Sequence, residues 1–138
     1  MKQIKPHSNY SKFFLQKRHS LQFGNVGIKV LSFSRLSNTQ INTIIWLVQK
    51  KIKNYSKKNN TKIWFLIHSN LCLTTLSLES RMGKGKGSIS TYAIFIKPGT
   101  ILCEFDNFSL NHASNLFNFI NKKFPGKLGL VSKFSQKI

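Results

Sequence analysis

The longest regular pattern in the chain is an apolar stripe at Ile41, Ile44, Ile45, Val48 and Ile52, spaced i, i+3, i+4, i+7 and i+11. That spacing predicts a helix with one buried face. Ser37 and Gln40 mark its start, the S-x-x-Q arrangement in which a hydroxyl caps a backbone amide while the glutamine reaches back. Lys50, Lys51, Lys53, Lys57 and Lys58 crowd its far end, where positive charge suits the helix dipole, and the polar run 59–61 ends it. A second helix is capped by Ser109, carries Leu110, Ala113, Leu116, Phe117 and Ile120 on its face, and stops at Pro125-Gly126.

Between and around these helices the pattern is that of strands. Gly24 and Gly27 punctuate the start of the folded part. Ile28, Val30, Leu31 and Phe33, interrupted by Lys29 and Ser32, predict one strand over 28–34. Residues 62–68 are dense in β-branched and aromatic side chains, which predicts a strand covered on both faces. The run 71–78 alternates apolar and small polar residues. Tyr92, Ile94 and Ile96 alternate in a further strand, Pro98-Gly99 turns the chain, and 101–105 is expected to return as its hairpin partner. Residues 128–131 read as a closing strand. The sum is an α+β domain of two helices packed on a mixed, largely antiparallel sheet, without internal repeats.

Charge changes the picture. The 138 residues hold 22 Lys+Arg against three acids, a net charge of +19. A folded domain carrying that charge repels itself, so its working state includes a polyanion. Residues 1–24, with Lys2, Lys5, His7, Lys12, Lys17, Arg18 and His19, no acid and little periodicity, read as a basic arm that orders on RNA. A transit peptide is the alternative reading of the same composition. The globular domain is expected over 25–138. Lys, Asn, Ile and Phe, all with A+T-rich codons, dominate the composition, as in many organelle genes. No apolar run approaches the ~18–20 residues needed to cross a bilayer, so no membrane insertion or secretory signal is expected. Cys72 and Cys103 are far apart with no CxxC pair, and the histidines show no metal spacing; neither a metal nor a cofactor is expected.

The sharpest break comes at 79–88. There Arg81-Met82-Gly83-Lys84-Gly85-Lys86-Gly87 places three glycines at alternate positions, so that the backbone can approach another molecule while the lysines meet phosphates. It is not a nucleotide-binding P-loop, since Gly85-Lys86 is followed by Gly87 rather than Ser or Thr. Arg81 offers a planar fork for a phosphate pair or a guanine edge; a salt bridge to Glu79 is the plainer alternative. Trp46, Trp64, Phe105, Phe117 and Phe119 read as core or rim packing rather than base-stacking platforms. Glu104 and Asp106 would share one side of a strand, paired at the surface with neighbouring lysines.

This loop, followed by an alternating strand, Lys97-Pro98-Gly99 and Leu102-Cys103-Glu104-Phe105, closely resembles the signature of large-subunit ribosomal protein sixteen, a bacterial and organellar family. Collinear pieces agree upstream at Lys5-Pro6, Phe23-Gly24, Gly27-Ile28-Lys29, Arg35-Leu36-Ser37, Gln40-Ile41 and Lys62-Ile63-Trp64, and downstream at Lys122-Lys123-Phe124-Pro125. The resemblance implies a structural protein without catalytic residues, seated below the central protuberance and close to the aminoacyl-tRNA site. Its expected partners are large-subunit rRNA, A-site tRNA and neighbouring ribosomal proteins. The RNA contacts expected are Lys5, Lys12, Lys17, Arg18, Lys29 and Arg35, together with Arg81, Met82, Gly83, Lys84, Gly85, Lys86 and Gly87 in a projecting loop. Divergence and composition favour a mitochondrial over a plastid ribosome. About eight phosphate contacts would give a log K versus log salt slope of about −7 on duplex RNA-like polyanions. Two competing classes remain: an RNA-directed enzyme using Glu104, Asp106 and a histidine, and a basic protein that binds anionic membrane or packages nucleic acid nonspecifically.

Overall fold

The computed structural model describes residues 20–55, 60–83 and 85–133. Nine elements follow one another: β1 (Val26–Val30), β2 (Ser34–Ser37), α1 (Asn38–Tyr55), β3 (Lys62–Phe65), β4 (Leu71–Thr75), β5 (Ser88–Ile96), β6 (Ile101–Asp106), α2 (Leu110–Asn121) and β7 (Leu128–Ser132). The α+β class and both helices are as the sequence implies. The strands divide between two sheets, in the orders β3-β6-β1-β7 and β2-β5-β4, and every pairing is antiparallel.

Both helices form for the reasons their sequences give. At the head of α1 the Ser37 amide donates to Gln40 Oε1 at 3.0 Å and the Gln40 amide to Ser37 Oγ at 3.3 Å, which closes the capping box. Ile41, Ile44, Val48 and Ile52 are buried along one side. Ser109 caps α2 by accepting from the His112 amide at 3.4 Å, and Ala113, Leu116 and Ile120 face inward. Helix α1 lies against β2 and β5, α2 against β1 and β7, and the two helices touch. One core results, in which Ile28, Val30, Leu36, Ile96, Phe105, Leu116 and Ile120 are almost wholly buried.

Three strand expectations are corrected. The run 28–34 is two strands with a corner between them. The Leu31 amide donates to the Lys127 carbonyl and Ser32 Oγ accepts from the Lys127 amide, which turns the chain out of the first sheet before β2 enters the second. The run 62–68 is a strand only to Phe65, and β3 is an edge strand with Lys62 exposed and Ile63, Trp64 and Phe65 half-buried. Segment 101–105 does not fold back on β5. Gly99, at φ +89, donates to the Val30 carbonyl and the Val30 amide to the Thr100 carbonyl. The turn is therefore zipped to the end of β1, and β6 runs on between β1 and β3 as the most buried strand of the protein.

Candidate nucleic-acid interface

The Gly/Lys segment joins β4 to β5 as a long hairpin loop. Its base is tight: Thr75 and Ser88 are paired in register, and a Cβ on Gly87 would sit 2.1 Å from the Thr75 carbonyl oxygen, so only glycine fits. Beyond the base, the Ser80 amide donates to the Ser77 carbonyl and the two serine hydroxyls lie 2.8 Å apart, which folds the approach into a turn. Arg81 and Met82 follow, both exposed, Met82 at 96%. Gly83 and Gly85 have φ of +92° and +87°, a region that side chains other than glycine's enter only with strain, and no atom lies within 4 Å of where their Cβ would stand. The tip is thus open space on both glycines. Among the described residues no ion pair joins Arg81 to Glu79.

At the other candidate part, the root of the basic arm, the structure overturns the surface reading of Glu104. This side chain is wholly buried, and its carboxylate accepts from three consecutive backbone amides: Gln22 at 3.1 Å to each oxygen, Phe23 at 2.7 Å and Gly24 at 2.8 Å. The arrangement is a nest of amides closed on an anion, with the carboxylate supplied by the protein itself. Leu21 lies over Gly27, where a Cβ would meet its Cδ2 at 2.5 Å, and Phe23 stacks on Trp64 at 5.8 Å between centroids. Gly24 passes so close to Phe105 that a Cβ would meet its carbonyl at 2.5 Å. Asp106 is also used internally, accepting from Asn25 Nδ2 at 2.9 Å. Neither acid is placed for catalysis. Burial, and the neighbouring Glu104 carboxylate after it, push the Cys103 thiol far above its ordinary range.

Of the expected contact residues, Arg81, Met82, Gly83, Gly85, Lys86 and Gly87 share the hairpin loop. Lys29 is half-buried on β1, on the face opposite Ile28 and Val30; Arg35 is exposed on β2 opposite Phe95. The structure does not bring these two together, since they lie on different sheets. Lys5, Lys12, Lys17, Arg18 and Lys84 lie outside the described residues. Phe105 is core, and Phe117 and Phe119 are half-buried at the helix layer, as expected. Trp64 is half-buried beneath Phe23. Trp46 is a correction: it is 56% exposed on the outer side of α1, with Lys50 Nζ 4.7 Å from its ring centroid. Its position would have revealed this. At about 100° per residue it lies about 140° around the helix from Ile41, away from the buried stripe.

Residues 1–131 match the family described as ribosomal protein L16p/L10e. The chain is 42% identical over 120 residues to the large ribosomal subunit protein uL16m of Chondrus crispus, covering 86% of this chain and 87% of that one. It is 33% identical over 115 residues to the large ribosomal subunit protein uL16 of Buchnera aphidicola subsp. Cinara cedri (strain Cc), covering 83% and 81%.

Proposed function

This chain belongs to the ribosomal protein L16p/L10e family, and from that premise we propose that it holds large-subunit rRNA near the central protuberance and supports aminoacyl-tRNA positioning beside the peptidyl-transferase region. It is a structural, non-enzymatic component of the large ribosomal subunit of mitochondria, with rRNA and other ribosomal proteins as its partners. Among the described residues no helix is long and apolar enough to cross a membrane.

The observation that carries the finer reading is the Arg81–Gly87 segment: an exposed arginine, basic side chains and two open glycines of positive φ, mounted on a hairpin base too tight for any residue but Gly87. Such a tip can follow a sugar-phosphate backbone at close range, and Arg81 can fork onto two phosphate oxygens as no lysine can. The arm supplies the second contact. Lys5, Lys12, Lys17 and Arg18 are its phosphate partners, and Glu104 fixes where the arm leaves the domain. Lys29 and Arg35 add sequence-independent contacts on the two sheets.

The test is crosslinking in purified large subunits, with sequencing of the RNA attached to residues 81–88. One defined rRNA region beside the A site is expected. Absence of the chain from large subunits at moderate salt, or crosslinks scattered over unrelated RNA, would refute the proposal. Replacing Arg81 by Lys should weaken binding of the full chain to large-subunit rRNA about 10-fold, the size of one lost bidentate contact.

A further inference from the structure

Among the described residues the outer side of α1 has no packing partner, and it has no role in the contacts proposed above. It presents Asn42, Thr43, Trp46, Gln49, Lys50 and Lys53, all exposed. Neither α1 nor α2 contains an acid; Glu104 is buried elsewhere, Asp106 is engaged by Asn25, and Glu79 lies in the hairpin loop. This face of α1 therefore offers a large aromatic ring among neutral amides, a hydroxyl and ammonium groups.

We propose that this face of α1 is a separate RNA-docking surface, in which Trp46 stacks on an unpaired base or ribose and Lys50 and Lys53 meet the flanking phosphates. Charge complementarity selects the occupant. Lys50 holds its ammonium over the indole at 4.7 Å, so a protein pocket closing on this ring would bury or displace a cation, which is costly without a matched acid. A polyanion meets the same ammonium with a phosphate. Aromatic side chains flanked by cations are how single-stranded RNA is held without sequence readout. The inference rests on the rRNA reading of the chain and adds a further contact surface, on α1, to the arm, the loop and the sheet residues Lys29 and Arg35.

The experiment uses the full chain and a transcript of large-subunit rRNA, with affinity measured across salt. Trp46→Ala should bind about 10-fold more weakly with an unchanged salt slope, whereas Trp46→Phe should stay within about 3-fold of the parent. The double variant Lys50→Gln/Lys53→Gln should reduce the slope by about 1.4, two single-strand phosphate contacts' worth. Because Trp46 is outside the core, helicity by circular dichroism should match the parent in every case. Unchanged affinity in Trp46→Ala, while Arg81→Lys still weakens binding, overturns this inference and leaves the proposed function standing; a parent chain that does not bind the transcript overturns both. Tryptophan oxidation of peptide 36–50 in assembled subunits gives a second reading. Protection there without any loss of RNA affinity in Trp46→Ala assigns the face to a neighbouring protein and refutes the RNA proposal.

Discussion

Replacing Glu104 by glutamine is expected to loosen the root of the arm while the sheets stay formed. In the native chain three amides are held by one carboxylate at 2.7–3.1 Å, and the Gly24 amide is buried with it. A hydrogen bond to a charged acceptor contributes about 1.5–3 kcal/mol net. Glutamine keeps the shape but has one acceptor oxygen. If that oxygen serves Phe23 and Gly24, its NH2 group faces the Gln22 amide, donor against donor. One bond is then lost and two lose their charge, about 3–4 kcal/mol together. Glu104→Ala removes all three and leaves the Gly24 N–H unsatisfied, about 4–5 kcal/mol, a large part of the 5–15 kcal/mol that stabilises a typical domain. Urea unfolding of the full chain measures the total, and hydrogen exchange at Gln22, Phe23 and Gly24 locates it. These three amides should exchange faster in Glu104→Gln by more than the global loss accounts for. Equal protection at 22–24 together with an unmoved urea midpoint would show that desolvation of the carboxylate cancels its bonds, and that the arm is held by Leu21 and Phe23 alone.

Two further expectations follow from particular contacts. Gly87→Ala drives a Cβ into the Thr75 backbone at the hairpin base and should cost about 2–3 kcal/mol in thermal unfolding, whereas Gly85→Ala, with open space around it, should cost about 1 kcal/mol; equal costs would deny the tight base. The Cys103 thiol is pushed up by burial and by Glu104, so above the ordinary thiol range the native chain retains a proton that the unfolded chain releases. Stability should therefore fall as pH rises beyond about 8.5, with a limiting slope of about 1.4 kcal/mol per unit that Cys103→Ala removes; a slope unaffected by that substitution would place its source elsewhere.

Helices were the legible part of this chain because their periodicity and caps are local: the stripe from Ile41 to Ile52 and the Ser37–Gln40 pair sufficed for α1. Strand partners were not local. Nothing in Pro98-Gly99 distinguishes a hairpin from a crossover, because the deciding bonds are with Val30, distant in sequence. The corner between Val30 and Ser34 was hidden because apolar residues continue through it, and Leu31 remains exposed. Glu104 was misread because an acid in a basic protein suggests lysine partners, while its actual donors are backbone amides, which every sequence has. Trp46 was misread by residue type when its angle on the helix pointed outward. The Gly/Lys loop was legible as a loop, but the reason for Gly87 became visible only with Thr75 beside it.

The crossover at Pro98-Gly99 makes β5 and β6 one nearly inextensible cable. It starts at the hairpin base beside Gly87, bends once where Gly99 is bonded to Val30, and ends at the carboxylate that grips residues 22–24. Extended chain advances about 3.3 Å per residue and barely stretches. The distance between the loop's footing and the arm's socket is therefore metered by the chain itself, and a single residue inserted between Ile96 and Ile101 would throw one grip out of step with the other.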